Sequence, residues 1–338
     1  MSSHHLKPYQ SINFKSWLIL IILGIFLSCF SLMYGDIKIS FHDLWSVISQ
    51  QAPPAQQLLI ENIRFPRLIA GILIGATLAL SGLILQMITK NPLASPDVFG
   101  ISDSAILALA MTILISDSSM LGQWWHALIG AMTCVLVIFV ASGGVGTQGY
   151  RILVIGVGIA TLMKASFDLI LATLPVMHTS SILIFSSGSL IGRSYSILLP
   201  TSILILALLA IIILWRRLFS VMVLPDSVIQ SLGQPLSKLR LILIFIAAFM
   251  AGTAVSIAGP IGFVAIAAPI ISYKLFPKHL FPIFPTLFIG ALMVVSSDLL
   301  GKHLLAPVEI PAGIISGMIG GPLLLWLLYR NSRNMSRS

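Results

Sequence analysis

Arg64-Phe-Pro-Arg67-Leu-Ile-Ala-Gly71-Ile-Leu-Ile-Gly75, running on to Gln86 and closing with Asn91-Pro92-Leu-Ala-Ser-Pro96-Asp97-Val-Phe-Gly100, is the stretch that decides how this chain is built. It joins a paired basic entry, a mostly apolar run of about twenty residues and a Pro/Gly/Asn/Asp exit. That length suits an α-helix crossing a hydrocarbon core of roughly 30 Å. The segment therefore predicts a membrane span with two arginines at one mouth and helix-breaking residues at the other.

The rest of the chain agrees. Of its 338 residues, 57% are hydrophobic and only 9% are charged, with a mean hydropathy of +1.04. A soluble domain carries about 25% charged residues, so the composition predicts an all-α polytopic membrane protein. The formal net charge of +9 does not point to nucleic acid, because the basic residues sit in short loops between apolar runs, where they set orientation. Cys29 and Cys134 fall inside apolar segments without metal-type spacing and read as core thiols. The N-terminal run 17–33 is longer than a signal-peptide core and lacks an A-x-A-like site, so it reads as a retained first helix.

Apolar spans are expected at 17–35, 67–88, 100–115, 123–142, 151–174, 197–215, 240–258, 260–275, 280–299 and 310–329, about ten transmembrane helices in a single domain over 1–338. The 260–275 span is short and interrupted by Pro269, which is tolerated only where protein or a cavity surrounds it. An even number of spans puts both termini on one side. Of the 19 Lys and Arg, only Lys38, Arg64, Arg67, Arg193 and Lys302 then lie on the opposite side, and Lys164 lies within a span. The positive-inside rule makes the side of the termini cytoplasmic. Residues 36–66 and 175–196 form longer outer connections, the second holding a short helix. The inner segment 216–239 contains a short helix that ends at Gly233.

Several motifs carry competing readings. Gly144-Val-Gly146-Thr-Gln-Gly149 matches G-x-G-x-x-G, but it follows a span rather than a strand and reads as a loop. No G-x-x-x-x-G-K-[ST] is present, so ATP-driven work would need a separate subunit. Gly71-x-x-x-Gly75 and Gly313-x-x-x-Gly317 are small-residue patterns for close helix packing. Lys164 and Asp168 share one face of the fifth span, as an intrahelical ion pair or as groups lining a pathway. Asp103 and Asp298, near span ends, read as wetted carboxylates, with a pathway role open for Asp103. The seven histidines, His4 and His5 in the tail among them, are scattered, and no metal or catalytic constellation emerges. Arg64, Arg67 and Lys302 read either as interfacial anchors or as a docking surface for an acidic partner.

Arg64-x-Pro-Arg67, Gly71, Gly82, Gln86, Asn91-Pro92-Leu-Ala-x-Pro96-Asp97 and Gly100 resemble the permease subunits of type II ABC importers for iron–siderophore complexes, haem and cobalamin, the FecCD-type family. Ala258-Gly259-Pro260-Ile-Gly262-Phe-Val264, Pro269, Asp298-Leu-Leu, Glu309-Ile-Pro311-Ala-Gly313 and Gly320-Gly-Pro322 extend the resemblance over nearly the whole chain. Ser95-Pro-Asp97-Val and Ile155-Gly-Val-Gly158-Ile look most like ferric-catecholate siderophore permeases.

The resemblance implies the type II ABC importer permease fold in a bacterial inner membrane, of a Gram-negative cell. It implies a second permease, two ATPase subunits that hold ATP and Mg, and a periplasmic binding protein; the departures from the family favour a non-identical second permease over a copy, with both left open. This chain would carry no cofactor and no catalytic group. Arg64 and Arg67 match the family's binding-protein docking pair, and Lys302 stands where a further arginine is common. Asp226, Ser227, Ile229, Leu232 and Gly233 match the helix that couples to the ATPase. The chain departs from the family at Pro225, Ser227 and Ile229, at Pro269-Ile270-Ile-Ser272-Tyr273, and at Ser102-Asp103-Ser104-Ala105. Haem or cobalamin import, an ion-coupled secondary transporter using Lys164, Asp168, Asp103 and Asp298, and an intramembrane enzyme are the competing readings.

Overall fold

A computed structural model describes residues 14–35, 37–116, 123–143, 149–174, 176–277, 279 and 281–335. The G-x-G-x-x-G loop before Gly149 and the histidines of the N-terminal tail lie outside them. In chain order the helices are α1 (Phe14–Met33), α2 (Phe41–Ile48) and α3 (Pro54–Leu59), which runs through a π-helical turn, Ile60–Arg64, into α4 (Phe65–Thr89). Next come α5 (Ile101–Ser116), α6 (Trp124–Ala141), α7 (Gly149–Thr173), α8 (Val176–Ser186), α9 (Tyr195–Leu214), α10 (Arg216–Val221) and α11 (Asp226–Ser231). The last are α12 (Leu236–Ala258), α13 (Val264–Leu275), α14 (Ile283–His303) and α15 (Ala312–Met335).

Each expected span coincides with a helix. Among the described residues, 7 helices are long and apolar enough to cross a membrane, and shorter apolar helices at Ile101–Thr112, Val264–Leu275 and Ala312–Trp326 fill the remaining expected positions. At 1.5 Å per residue α13 reaches only about 18 Å, well short of a full crossing. The connection 36–66 is largely helical, with α2 started by a reciprocal cap between Ser40 and Asp43. The 216–239 segment holds two short helices, α10 and α11, where one was expected.

The helix read first sits at the centre. In the most apolar 18-residue stretch of Pro54–Thr89, 78% of the residues are buried, and in that of α12 72%, against 11% in α1 and 17% in the α7 span. α4 packs on α14, α12 and α13. Two glycines set the approach of α4 to α14: a Cβ on Gly75 would lie 2.2 Å from the Gly290 carbonyl oxygen of α14, and one on Gly290 would lie 2.2 Å from that of Gly75. No side chain larger than hydrogen fits there. The Gly71-x-x-x-Gly75 pattern thus faces α14, whereas Gly317 of the second pattern has open space.

The short span is built as its sequence requires. Pro269 has no N–H to give the Ala265 carbonyl, its partner one turn back in α13. The Gln86 side-chain amide supplies donors instead, Nε2 lying 3.3 Å from Ala265 O and 3.2 Å from Ile266 O. Ser81 Oγ likewise donates to Ala247 O at 2.7 Å, joining α4 to α12. Cys134 is a buried core thiol as expected, but Cys29 is only half-buried because α1 lies at the periphery.

Candidate functional site

Two clusters of charge sit at opposite ends of α4. At its start, Arg67 Nε lies 3.0 Å from Asp298 Oδ2, and Nη2 lies 2.8 Å from Oδ1. Arg67 Nη1 reaches Glu309 Oε2 at 2.8 Å, and Lys302 Nζ reaches Asp298 Oδ2 at 3.0 Å. Two cations meet two carboxylates, and every side chain but that of Glu309 is nine-tenths or more buried. Asp298, expected to be wetted, is instead the buried hub. Arg64 is also buried, and its Nη1 donates to Leu32 O at 2.7 Å and Met33 O at 3.1 Å, with Nη2 on Ile37 O. Leu32 and Met33 close α1, where a cation is favoured, and Ile37 lies in the connection beyond it.

The three cations read from the sequence as a docking surface thus have partners inside the chain. A docking carboxylate has to compete with Asp298 and Glu309 for Arg67 and with main-chain carbonyls for Arg64. Spacing along one helix could not disclose this, because Asp298 and Glu309 arrive from α14 and the turn before α15.

The second cluster lies where α4 ends. Lys90 closes the helix in the left-handed conformation (φ 52°), and its Nζ lies 3.2 Å from Asp226 Oδ1 while also donating to Leu224 O. Arg240 Nη2 of α12 donates to Asp226 Oδ2 at 2.6 Å. Burial alone would raise the Asp226 carboxyl, but hydrogen bonds and charge from Arg240 and Lys90 outweigh it and hold the group below the usual carboxylate range. Asp226 begins α11 after Pro225, and Gly233 leaves the helix at φ 69°, a backbone state that suits glycine.

Of the residues assigned to coupling, Ser227 and Leu232 are exposed and stand with Val228 on an open face of α11. Ile229, assigned with them, is fully buried in the main core and packs α11 onto its own chain. Lys90 and Arg240 are the residues that sequence reading missed here. Their only sequence signal was a lone cation at the end of a span.

In the segment between α4 and α5, Asp97 Oδ1 accepts a hydrogen bond from Ser102 Oγ at 2.6 Å. Burial pushes the Asp97 carboxyl up, and Ser102 offsets part of this. The expected ion pair between Lys164 and Asp168 is not closed: among the described residues neither has an opposite charge within 4.0 Å, and both are exposed on α7. Among the described residues nothing covers that face of α7. Asp103 is half-buried on α5. Among the described residues no group of His, Cys, Asp and Glu is placed to hold a metal ion.

Residues 20–330 match the FecCD transport family. The chain is 29% identical over 327 residues to the probable siderophore transport system permease protein YfhA of Bacillus subtilis, covering 94% of this chain and 95% of that one. It is 34% identical over 284 residues to the Fe(3+)-citrate import system permease protein YfmE of the same organism, covering 82% and 84%. A solved metal-chelate type ABC transporter in an inward-facing conformation aligns with a TM-score of 0.82 at 25% identity, covering 94% of this chain and 99% of the other.

Proposed function

Because the chain belongs to the FecCD transport family, we propose that it is the permease subunit of an ABC importer that moves an iron(III) chelate of the siderophore or citrate class across a bacterial cytoplasmic membrane. The similarity runs almost end to end with relatives named for that cargo. The observation that carries the mechanism is the position of Asp226, held at once by the end of α4 and the start of α12. These are the two most buried spans of the chain. A displacement of α11 is therefore delivered to the centre of the bundle.

In this reading the termini, α10 and α11 are cytoplasmic, and the open face of α11 meets an ATPase subunit that binds the nucleotide. The energy input is conformational: nucleotide binding favours one arrangement of the spans, and only a differential affinity of the chelate for the two arrangements moves it. A second permease completes the pathway. The exposed face of α7 supports this, because Lys164 and Asp168 within a span are costly against lipid and need protein or water opposite them. A binding protein delivers the chelate at the Arg64 end, its carboxylates exchanging with Glu309 and Asp298 around Arg67.

The test is uptake of radioiron as chelate by cells expressing the chain with its partner subunits, together with co-purification of an ATPase. ATP-dependent uptake that persists when the proton gradient is collapsed is expected. Uptake that needs the gradient and no ATPase would overturn the reading in favour of an ion-coupled transporter. Arg64→Glu with Arg67→Glu is expected to abolish uptake while basal ATP hydrolysis remains; unchanged uptake would remove the docking assignment.

A further inference from the structure

The end of the bundle that carries α10 holds a cavity of about 490 Å³ that the transport cycle described above does not use. It lies between the start of α1, α10 and the turn from α13 into α14, and Trp17, Arg216, Arg217, His279, Phe281 and Phe284 line it. Its apolar part is fixed by ring packing. The Trp17 ring meets Phe276 at 5.2 Å and Phe288 edge-on at 5.7 Å, and Phe281 stacks on Phe219 at 5.3 Å. Its polar part is cationic. No carboxylate lines it, and among the described residues neither guanidinium has a carboxylate within 4.0 Å.

The surroundings say what kind of anion fits. Arg216 and Arg217 follow directly on the apolar span α9, whose last residue Leu214 is 78% exposed. The neighbouring wall is α1, the least buried span, with Ile19 and Ile22 open at its surface. An anion held here therefore has water on one side and hydrocarbon on the other. A guanidinium pair grips phosphate oxygens through planar forks of donors, and an aromatic ring at the same level is the ordinary furniture of a membrane interface. An acidic surface of a partner subunit would not need the apolar half of the cavity. The α11 face, with Val228 and Leu232 exposed, already provides a separate contact surface.

We propose that this cavity is a binding site for the phosphate headgroup of an anionic phospholipid, whose acyl chains run along α1. The inference rests on the membrane-permease reading only for the leaflet that supplies the lipid, the cytoplasmic one.

The test is native mass spectrometry of the detergent-purified, delipidated chain titrated with dioleoyl-phosphatidylglycerol or dioleoyl-phosphatidylcholine. One phosphatidylglycerol is expected to be retained at a concentration about tenfold lower than phosphatidylcholine, in line with cationic attraction at a membrane surface. Arg216→Ala with Arg217→Ala should erase that preference. Lys238→Ala, an exposed cation outside the cavity, should leave it intact, and Arg216→Lys with Arg217→Lys should keep part of it. Equal retention of the two lipids by the native chain, or an unchanged preference in the double alanine variant, overturns the proposal. Displacement of the lipid by inorganic phosphate alone assigns a free-phosphate site and also overturns it, as does loss of the lipid when the ATPase subunit is bound. Lipid retention is read without transport, so its failure is distinct from failure of the uptake assay.

Discussion

Arg67 and Asp298, 231 positions apart in the chain, face each other at the start of α4 through three hydrogen bonds of 3.1, 3.0 and 2.8 Å. At the other end of the same helix Lys90 meets Asp226. A rod of 25 residues, about 37 Å long, is thus clamped by ion pairs at both ends. What happens when either clamp is opened defines the protein's behaviour.

Asp298→Asn leaves Arg67 with only Glu309 and Lys302 without a carboxylate, both cations remaining buried. Removing one partner of a buried pair costs about 3–5 kcal/mol. The expected outcome is a marked drop in the thermal unfolding midpoint of the detergent-purified chain, followed by size-exclusion chromatography after heating. A midpoint equal to that of the native protein would show that the network carries no stability.

Asp226→Asn keeps the shape of the side chain and removes its charge. On the proposed coupling role of α11, iron-chelate uptake is expected to fall about tenfold or more while ATP hydrolysis by the assembled complex continues. Equal losses of hydrolysis and uptake would mean that assembly, rather than coupling, had failed.

The same carboxyl predicts a pH dependence. Its pKa in the folded chain is held below the usual value by Arg240 and Lys90. Its contribution is therefore complete above the ordinary aspartate range near 4 and is lost as pH falls through the lower folded value. Between pH 5 and pH 8 the thermal midpoint difference between the native chain and Asp226→Asn should stay constant. It should shrink only on acidification below about pH 4.

Gln86→Leu withdraws the donor that replaces the missing N–H of Pro269, leaving the buried Ala265 carbonyl short of a partner. The cost of an unmet buried acceptor is about 1–3 kcal/mol. A lowered thermal midpoint is expected. Restoring it by Pro269→Ala in the Gln86→Leu background would prove the relationship, and no restoration would refute it.

Gly75→Ala places a methyl group where the Gly290 carbonyl already lies, and the obstacle is main chain rather than a movable side chain. Overpacking of this kind costs about 1–3 kcal/mol. Gly317→Ala, with open space around it, should be silent in the same melt.

The legibility of the chain follows these contacts. Helix positions were readable because each span carries its own apolar length, and the helices fall where that length places them, α13 included. The family was readable because its signatures lie in short contiguous strings such as Asn91-Pro92-Leu-Ala-x-Pro96-Asp97. What the residues assigned to docking and coupling touch within the chain was not readable. Ile229 is buried in the core. Arg67 and Lys302 looked free and are paired.

The sequence by itself determined the spans, the bias of positive charge toward the side of the termini and membership of a permease family. These depend on composition and local order, to which hydrocarbon responds directly. Only the tertiary structure decided which charges are spoken for: Arg67 by Asp298 and Glu309, and Asp226 by Lys90 and Arg240. Those pairs form between elements distant in the chain, and no local pattern ranks one buried partner above another. The Arg64–Gly100 stretch therefore named its helix from sequence alone, and only packing showed it to be a strut clamped at both ends.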